Sequence, residues 1–309
     1  MRIAIIDLGT NTFNLLIAEV TDKKTFRSIF STKVAVKLGE GGTNLKNISA
    51  KAFQRGIDVL KIHRSIIDRF QAEQIFAFAT SGIRSARNGK KFVEAAKKAA
   101  NLDITVISGD KEAELICGGV RMALEIGPDH SLLLDIGGGS NEFIVASQTE
   151  IAWKKSFDLG VARLLEKFKP SDPITAEEVA KIEKYLRKEL QPLAGALQAH
   201  PVKELIGSSG SFDTFAEVIA HRFHTIEILK GKTAYEFDMG EFSQVHDQLI
   251  ASTKAEREKT PGIIALRVDM IVMGAVIVNF VLKEYGIAKM RMSTYALKQG
   301  VLAEVMHNY

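Results

Sequence analysis

Two short apolar runs, residues 3–6 and 13–18, flank a polar glycine turn near the N-terminus, and a second pair, 132–134 and 143–146, flanks another mid-chain. Runs of this length bounded by turn residues read as strands. The pattern predicts strands at 2–8, 12–20, 26–38, 75–79 and 104–107, with helices near 49–70, 90–100 and 111–126. The order then restarts. Strands follow at 132–136, 142–146 and 151–157, then helices near 161–168 and 177–197 and a short strand at 203–206. Thr260-Pro261 has the form of a helix start, Thr as cap and Pro at the first helical position, leading into an apolar helix over 263–285. The second unit is built like the first, with insertions. No low-complexity linker separates them, so a boundary falls in helix or turn near 117–129.

The two turns share one grammar: Asp7-Leu8-Gly9-Thr10-Asn11-Thr12 and Asp135-Ile136-Gly137-Gly138-Gly139-Ser140. Glycine lets backbone N–H groups come close to a ligand, and an Asp ending the inbound strand can hold a cation beside it. One such turn reads as an ordinary hairpin. Two with matching Asp residues suggest a polyphosphate group gripped from both sides.

Length and composition narrow the class. At 309 residues the chain exceeds the size at which a single core stops growing, so two domains are expected. Hydrophobic residues at 46% and charged residues at 25% describe an ordinary soluble globular protein, and the net charge of +4 suits an anionic substrate. The single Cys117 excludes an internal disulfide and reads as helix packing, while His221 and His224 lack a third zinc ligand. Asp7 interrupts the first apolar run at once, so no signal peptide is expected. The longest apolar stretch, 270–282, contains Gly274 and Asn279 and is too short to span a bilayer. The expected compartment is the cytoplasm, with neither membrane nor nucleic acid as partner.

Five further segments sharpen the picture. They are Ala79-Thr80-Ser81-Gly82-Ile83-Arg84, Ile107-Ser108-Gly109-Asp110-Lys111-Glu112-Ala113, Gly207-Ser208-Ser209-Gly210-Ser211, Arg267-Val268-Asp269, and Ser293-Thr294-Tyr295-Ala296-Leu297-Lys298-Gln299-Gly300. In this order, with the two turns, they resemble the exopolyphosphatase and guanosine pentaphosphate phosphohydrolase family of the actin, chaperone-ATPase and sugar-kinase superfamily. The resemblance covers nearly the whole chain. It implies an α/β fold of two ribonuclease-H-like (actin-like ATPase) domains flanking a central cleft, 1–118 plus 294–309 against 119–293. It also implies hydrolysis of terminal phosphates from inorganic polyphosphate or guanosine pentaphosphate. Mg²⁺ (or Mn²⁺) is the implied cofactor, with a monovalent cation such as K⁺ and a homodimer as further expectations. A kinase or ATPase on the same fold, and a non-catalytic polyphosphate-binding protein, stay open.

Cleaving a phosphoanhydride requires donors on the equatorial oxygens, neutralised charge and a water held in line. Thr10, Asn11 and Thr12 in one turn and Gly137, Gly138, Gly139 and Ser140 in the other are the candidate donors. Thr80, Ser81 and the strand-to-helix loop Gly207, Ser208, Ser209, Gly210 and Ser211 add to them. The resemblance selects Glu112 as the base that orients and deprotonates the water. Asp110, Glu112 and Glu114 would equally favour a helix N-terminus, and residues two apart on a helix diverge, so Glu112 and Glu114 cannot both face the cleft. Asp135 and Glu142 are the candidate divalent-cation pair, with Asp7 adding a contact through water. Arg84 offers a planar fork to phosphate oxygens. Arg267 and Lys298 read equally well as ligand contacts or as surface charge.

Overall fold

Both glycine turns join antiparallel strands, and each opens a half with the same strand order. In the computed structural model, residues 1–22, 25–40 and 46–307 are described. Residues 308–309, assigned above to the first domain, lie outside them.

The first half runs β1 (Arg2–Leu8), β2 (Thr12–Val20), β3 (Phe26–Ala35), α1 (Ala50–Arg69), β4 (Gln74–Ala79), α2 (Ser81–Arg84), α3 (Gly89–Ala100), β5 (Ile104–Val106) and α4 (Gly109–Ala123). Its sheet is ordered β3-β2-β1-β4-β5, an antiparallel meander continued by two parallel strands. The second half begins β6 (Ser131–Ile136), β7 (Asn141–Ala146), β8 (Ile151–Phe157), α5 (Val161–Phe168), α6 (Ala176–Glu189), α7 (Gln191–Ala199), β9 (Glu204–Ser208) and α8 (Gly210–Phe223). It continues through β10 (Ala234–Glu236), α9 (Met239–Ala251), α10 (Lys254–Arg257), α11 (Ile271–Glu284), β11 (Lys289–Ser293) and α12 (Leu297–His307). Its sheet reads β8-β7-β6-β9-β11 with β10 added at the edge. Again a three-stranded meander is followed by two parallel strands. Each half has the ribonuclease-H-like arrangement.

The two-residue period of a strand decides what faces the space between the sheets. On β1, Ala4, Ile6 and Leu8 join an outer core with α1 and α3, while Ile3 and Ile5 join an inner core shared by both sheets. On β6, Leu132, Leu134 and Ile136 face outward and Leu133 inward; on β7, Phe143 and Val145 face outward, Ile144 and Ala146 inward. Asp7, Asp135 and Glu142 therefore share the inner face. Helices α4 and α12 complete the inner core with Leu115, Ile116, Val301 and Leu302. Cys117 is fully buried among them, as expected of packing.

Two helix expectations are corrected. Thr260-Pro261 opens no helix: turns occupy 260–270, and α11 begins at Ile271. The local cap signal loses to the buried guanidinium of Arg257. It donates to the carbonyls of Ser252 (2.5 Å) and Val268 (2.9 Å) and to Asp172 (2.7 Å), and so holds the Val268 carbonyl outside a helical ladder. The helix expected at 177–197 is two, α6 and α7, meeting at Leu190. Pro192 has no N–H for the carbonyl four residues back, and its ring crowds that carbonyl, which ends the first helix. Strands β10 and β11 and helix α9 add to the second half beyond the sequence reading, and α12, within the 294–309 segment expected of the first domain, packs with α4 in the inner core.

Candidate functional site

The two turns are built alike to the level of single hydrogen bonds. Gly9 N–H donates to the Thr12 carbonyl at 3.0 Å, and Gly137 N–H to the Ser140 carbonyl, also at 3.0 Å. Their carbonyls are held from behind. In the first turn, Thr10 O accepts from Leu38 N–H (2.8 Å), and Asn11 O from Val36 and Lys37 N–H (2.8 and 2.9 Å). In the second, Gly137 O accepts from Val161 N–H (3.0 Å), Gly138 O from Ala162 N–H (2.9 Å) and Gly139 O from Arg163 Nε (2.7 Å). A trans peptide points its N–H opposite to its carbonyl. Fixing these carbonyls therefore aims the N–H groups of Asn11, Gly138, Gly139 and Ser140 away from their supports. They point toward a cavity of about 170 Å³ that the same residues line. Successive N–H groups converging in this way form an anion cradle.

The cradles touch each other. A Cβ on Gly138 would overlap the Asn11 side-chain amide, and one on Gly139 would overlap the Thr10 hydroxyl and come within 2.7 Å of Ser81 Oγ. The Asn11 amide also reaches across to Met270 Sδ at 2.9 Å. Glycine is required here because the opposite half occupies the space a side chain would take.

Asp135, Glu142 and Asp7 stand on the cavity wall. Asp135 Oδ2 accepts from the hydroxyls of Ser208 and Ser209, both at 2.6 Å; Glu142 Oε1 accepts from Ser156 Oγ at 2.6 Å; Asp7 Oδ2 accepts from Asn14 Nδ2 at 2.9 Å. Asp135 and Glu142 are directly opposed across β6 and β7. Burial, and then the Asp135 charge, push the Glu142 carboxyl up to about 7; burial likewise raises Asp135 and Asp7. Among the described residues none of the three has an ion pair. Among those residues, too, no cluster of three or more His, Cys, Asp or Glu side chains has metal-binding geometry. Two opposed, buried carboxylates suit a divalent ion that keeps several waters and shares a phosphate ligand, not one caged by protein alone.

Glu112 lies in the first turn of α4, whose cap is Ser108: its hydroxyl accepts from Lys111 N–H at 3.1 Å. The carboxyl is buried on the cavity wall, and burial, then Glu142, hold its pKa well above the carboxylate range against the opposing Arg84. Arg84 Nη1 donates to Glu112 Oε2 (2.8 Å) and to the Ile107 carbonyl (3.0 Å). Glu114 points elsewhere, paired with Lys154 at 2.9 Å, as the helix period requires.

Thr10, Asn11, Thr12, Thr80, Ser81 and Ser209 also line the cavity, so most of the candidate donors are brought together. Ser209 is held at φ 72°, a region costly to a residue with a side chain, by about 1–3 kcal/mol. Arg84 does not form part of the wall; it stands behind Glu112. Nor do Gly207, Ser208, Gly210 or Ser211 line the cavity. Gly207 makes room for the Phe212 ring, Ser208 is buried against Asp135, and Ser211 packs against Gly274 of α11. Gly210 leaves the space that the Arg267 guanidinium fills.

Arg267 and Lys298 both reach the wall, and Lys33 and Asp213 join them without having been singled out in the sequence. Lys33 continues a row across the first sheet, Asp7 opposite Asn14 and Asn14 opposite Lys33. Burial lowers the pKa of Lys33, Lys298 and Arg267, and Arg267 and Lys298 depress Lys33 further. Among the described residues none of these cations makes an ion pair within 4.0 Å. A lysine on an exposed edge strand ordinarily guards the edge, so only the strand register could have exposed the role of Lys33.

Residues 16–309 match the model of the Ppx/GppA phosphatase family. The chain belongs to that family. Among solved structures, the exopolyphosphatase from Cytophaga hutchinsonii ATCC 33406 superposes with a TM-score of 0.95 at 38% identity, covering 100% of this chain and 98% of that one. The PPX-GPPA enzyme of Aquifex aeolicus gives a TM-score of 0.80 at 27% identity over 98% of this chain and 99% of its own. This chain is accordingly a phosphoanhydride hydrolase. No helix among its described residues is long and apolar enough to cross a membrane.

Proposed function

We propose that the protein is an exopolyphosphatase that removes terminal phosphates from inorganic polyphosphate. The observation that carries this reading is a convergence: two N–H cradles, three cations without an ion pair among the described residues and the buried carboxyl of Glu112 meet in one cavity. Crowded, buried cations that form no ion pair within 4.0 Å among the described residues are stabilised by a polyanion, and a single phosphate offers too little charge for three of them. A linear phosphate chain meets that requirement along its length.

In the proposed reaction the cradles hold the equatorial oxygens of the terminal phosphoryl group in line with a water at Glu112. The water oxygen forms the new P–O bond while the bridging P–O bond breaks. Glu112 takes a water proton, and the products are orthophosphate and a chain one unit shorter. Arg84 orients the Glu112 carboxyl, and Lys33, Arg267 and Lys298 bind the remaining phosphates. Mg²⁺ would be held by Asp135 and Glu142, with Asp7 through water, and would supply neutralisation of charge on the phosphates. The bodies proposed to move about the cleft are 1–118 with 294–309 and 119–293.

The test is phosphate release from polyphosphates of defined length, with guanosine pentaphosphate and ATP in parallel. Turnover of polyphosphate at least as efficient as that of the nucleotides is expected. Preference for guanosine pentaphosphate would move the assignment to a pentaphosphate phosphohydrolase, and phosphorylation of an added acceptor by ATP would overturn it.

A further inference from the structure

Of the three carbonyls that orient the second cradle, two are held by the main-chain N–H groups of Val161 and Ala162, which every residue but proline would supply. The third, Gly139 O, is held by a side chain, Arg163 Nε at 2.7 Å. The same guanidinium crosses the cleft. Its Nη2 lies 3.0 Å from Ser85 Oγ and 3.5 Å from Ser81 Oγ, at the two ends of α2 in the other half. On its own side Nη2 meets Asp158 at 3.1 Å. Arg163 itself does not line the cavity.

We propose that Arg163 is a positioning residue that makes completion of the second cradle depend on closure of the cleft. The Gly139–Ser140 peptide carries the third N–H of that cradle, and a peptide flanked by glycine can turn over because glycine accepts backbone angles of either sign. While the halves are together, Ser85 and Ser81 fix the guanidinium, Nε holds the Gly139 carbonyl back, and Ser140 N–H faces the cavity. When the halves part, Nη2 loses its hydroxyl partners and Asp158 draws the guanidinium to its own side. Gly139 O is then released and the third donor is no longer fixed. Helix α2 also carries Ser81 on the cavity wall and ends at Arg84, which orients Glu112. One side chain thus ties the second cradle to the element that sets the first half's donor and base. An enzyme so arranged hydrolyses only when closed.

The activity arm of the test rests on the proposed exopolyphosphatase reading; the scattering arm does not. Arg163→Gln removes the guanidinium's bonds to Gly139 O and across the cleft, Arg163→Lys keeps the charge but not the fork, and Ser85→Ala removes only a bond across the cleft. In Arg163→Gln and in Ser85→Ala, kcat on polyphosphate should fall by about tenfold or more while KM changes less than about threefold, because a donor set only in the closed state is lost. The double variant should be no worse than Arg163→Gln, since both act through one contact. A merely structural role would lower thermal stability and leave the kcat-to-KM split and the double cycle unaffected. Small-angle scattering without substrate should show a larger radius of gyration in both single variants than in the wild type. Unchanged kcat, additive effects, or identical scattering would each overturn the coupling. Should Arg163→Gln fail to fold, Arg163→Lys and Ser85→Ala carry the same test. A wild-type protein inactive on every polyphosphate would sink the functional reading while leaving the scattering comparison decisive.

Discussion

Arg84 donates to the Glu112 carboxylate at 2.8 Å from behind the cavity wall, so the guanidinium meets the proposed base and not the cavity. The same nitrogen, Nη1, also donates to the Ile107 carbonyl at 3.0 Å. Burial, and then the Glu142 charge, raise the pKa of Glu112 while Arg84 opposes them, a setting that suits its proposed role of taking a proton from water.

Glu112→Gln preserves shape and removes basicity. It should keep the fold and polyphosphate binding and lose hydrolysis by about 10²–10⁴-fold, the usual contribution of a general base. Glu114→Gln, whose carboxyl pairs with Lys154 outside the cavity, should stay near wild type. Steady-state phosphate release checks both, and near-normal turnover by Glu112→Gln would remove it from the mechanism.

Arg267 can be displaced without touching its charge. A methyl group at Gly210 would take the place of the guanidinium, so Gly210→Ala should shift Arg267 off the wall and raise KM for polyphosphate by about tenfold, or ~1.4 kcal/mol. Arg267→Ala and Lys33→Ala should raise KM similarly, and all three effects should shrink at high salt as ions screen the wild-type attraction. Unchanged KM in the charge deletions would mean the polyanion does not pass these residues.

The cation assignment predicts a pH-dependent requirement. Glu142, held at about 7, must lose its proton to act as ligand, so the Mg²⁺ concentration for half-maximal activity should rise as pH falls below 7 and level off above it. For one displaced proton the rise is about tenfold per pH unit. Asp135→Asn should raise the requirement at all pH values, and Glu142→Gln should raise it and abolish its slope. A Mg²⁺ titration indifferent to both substitutions would end the assignment.

The repeated strand order and the inner-facing acids were legible because a two-residue period and a turn are local features. Asp7, Asp135 and Glu142 could be placed by counting along strands, and the resemblance ordered the rest. Lys33 was not legible, because its place on the wall comes from lying opposite Asn14, a pairing set by the register between β2 and β3. Gly210 looked like part of a phosphate loop and proves to be the seat of a side chain 57 residues later. The helix start at Thr260 failed for the same reason: the guanidinium of Arg257 claimed the Val268 carbonyl through a tertiary bond that no cap signal reports.

The remaining prediction concerns stability, away from the cavity. His63 of α1 is fully buried, neither ring nitrogen has a hydrogen-bond partner among the described residues, and burial pushes its pKa down to about 4. In the unfolded chain the imidazole titrates at its ordinary value near 6.5. Between these two values the unfolded state binds a proton that the folded state refuses, so stability falls as pH drops from 6.5 toward 4 and is unaffected by this group above that window. At ~1.4 kcal/mol per unit, the whole window is worth up to about 3 kcal/mol. His63→Leu removes the titration together with two unsatisfied polar nitrogens, and should be the more stable protein throughout. Any titration of the cleft acids is the same in both proteins and cancels in the difference. Urea denaturation at a series of pH values should therefore show the advantage of His63→Leu growing from pH 7 to pH 4. A constant difference would mean that the buried imidazole finds a partner for its proton after all.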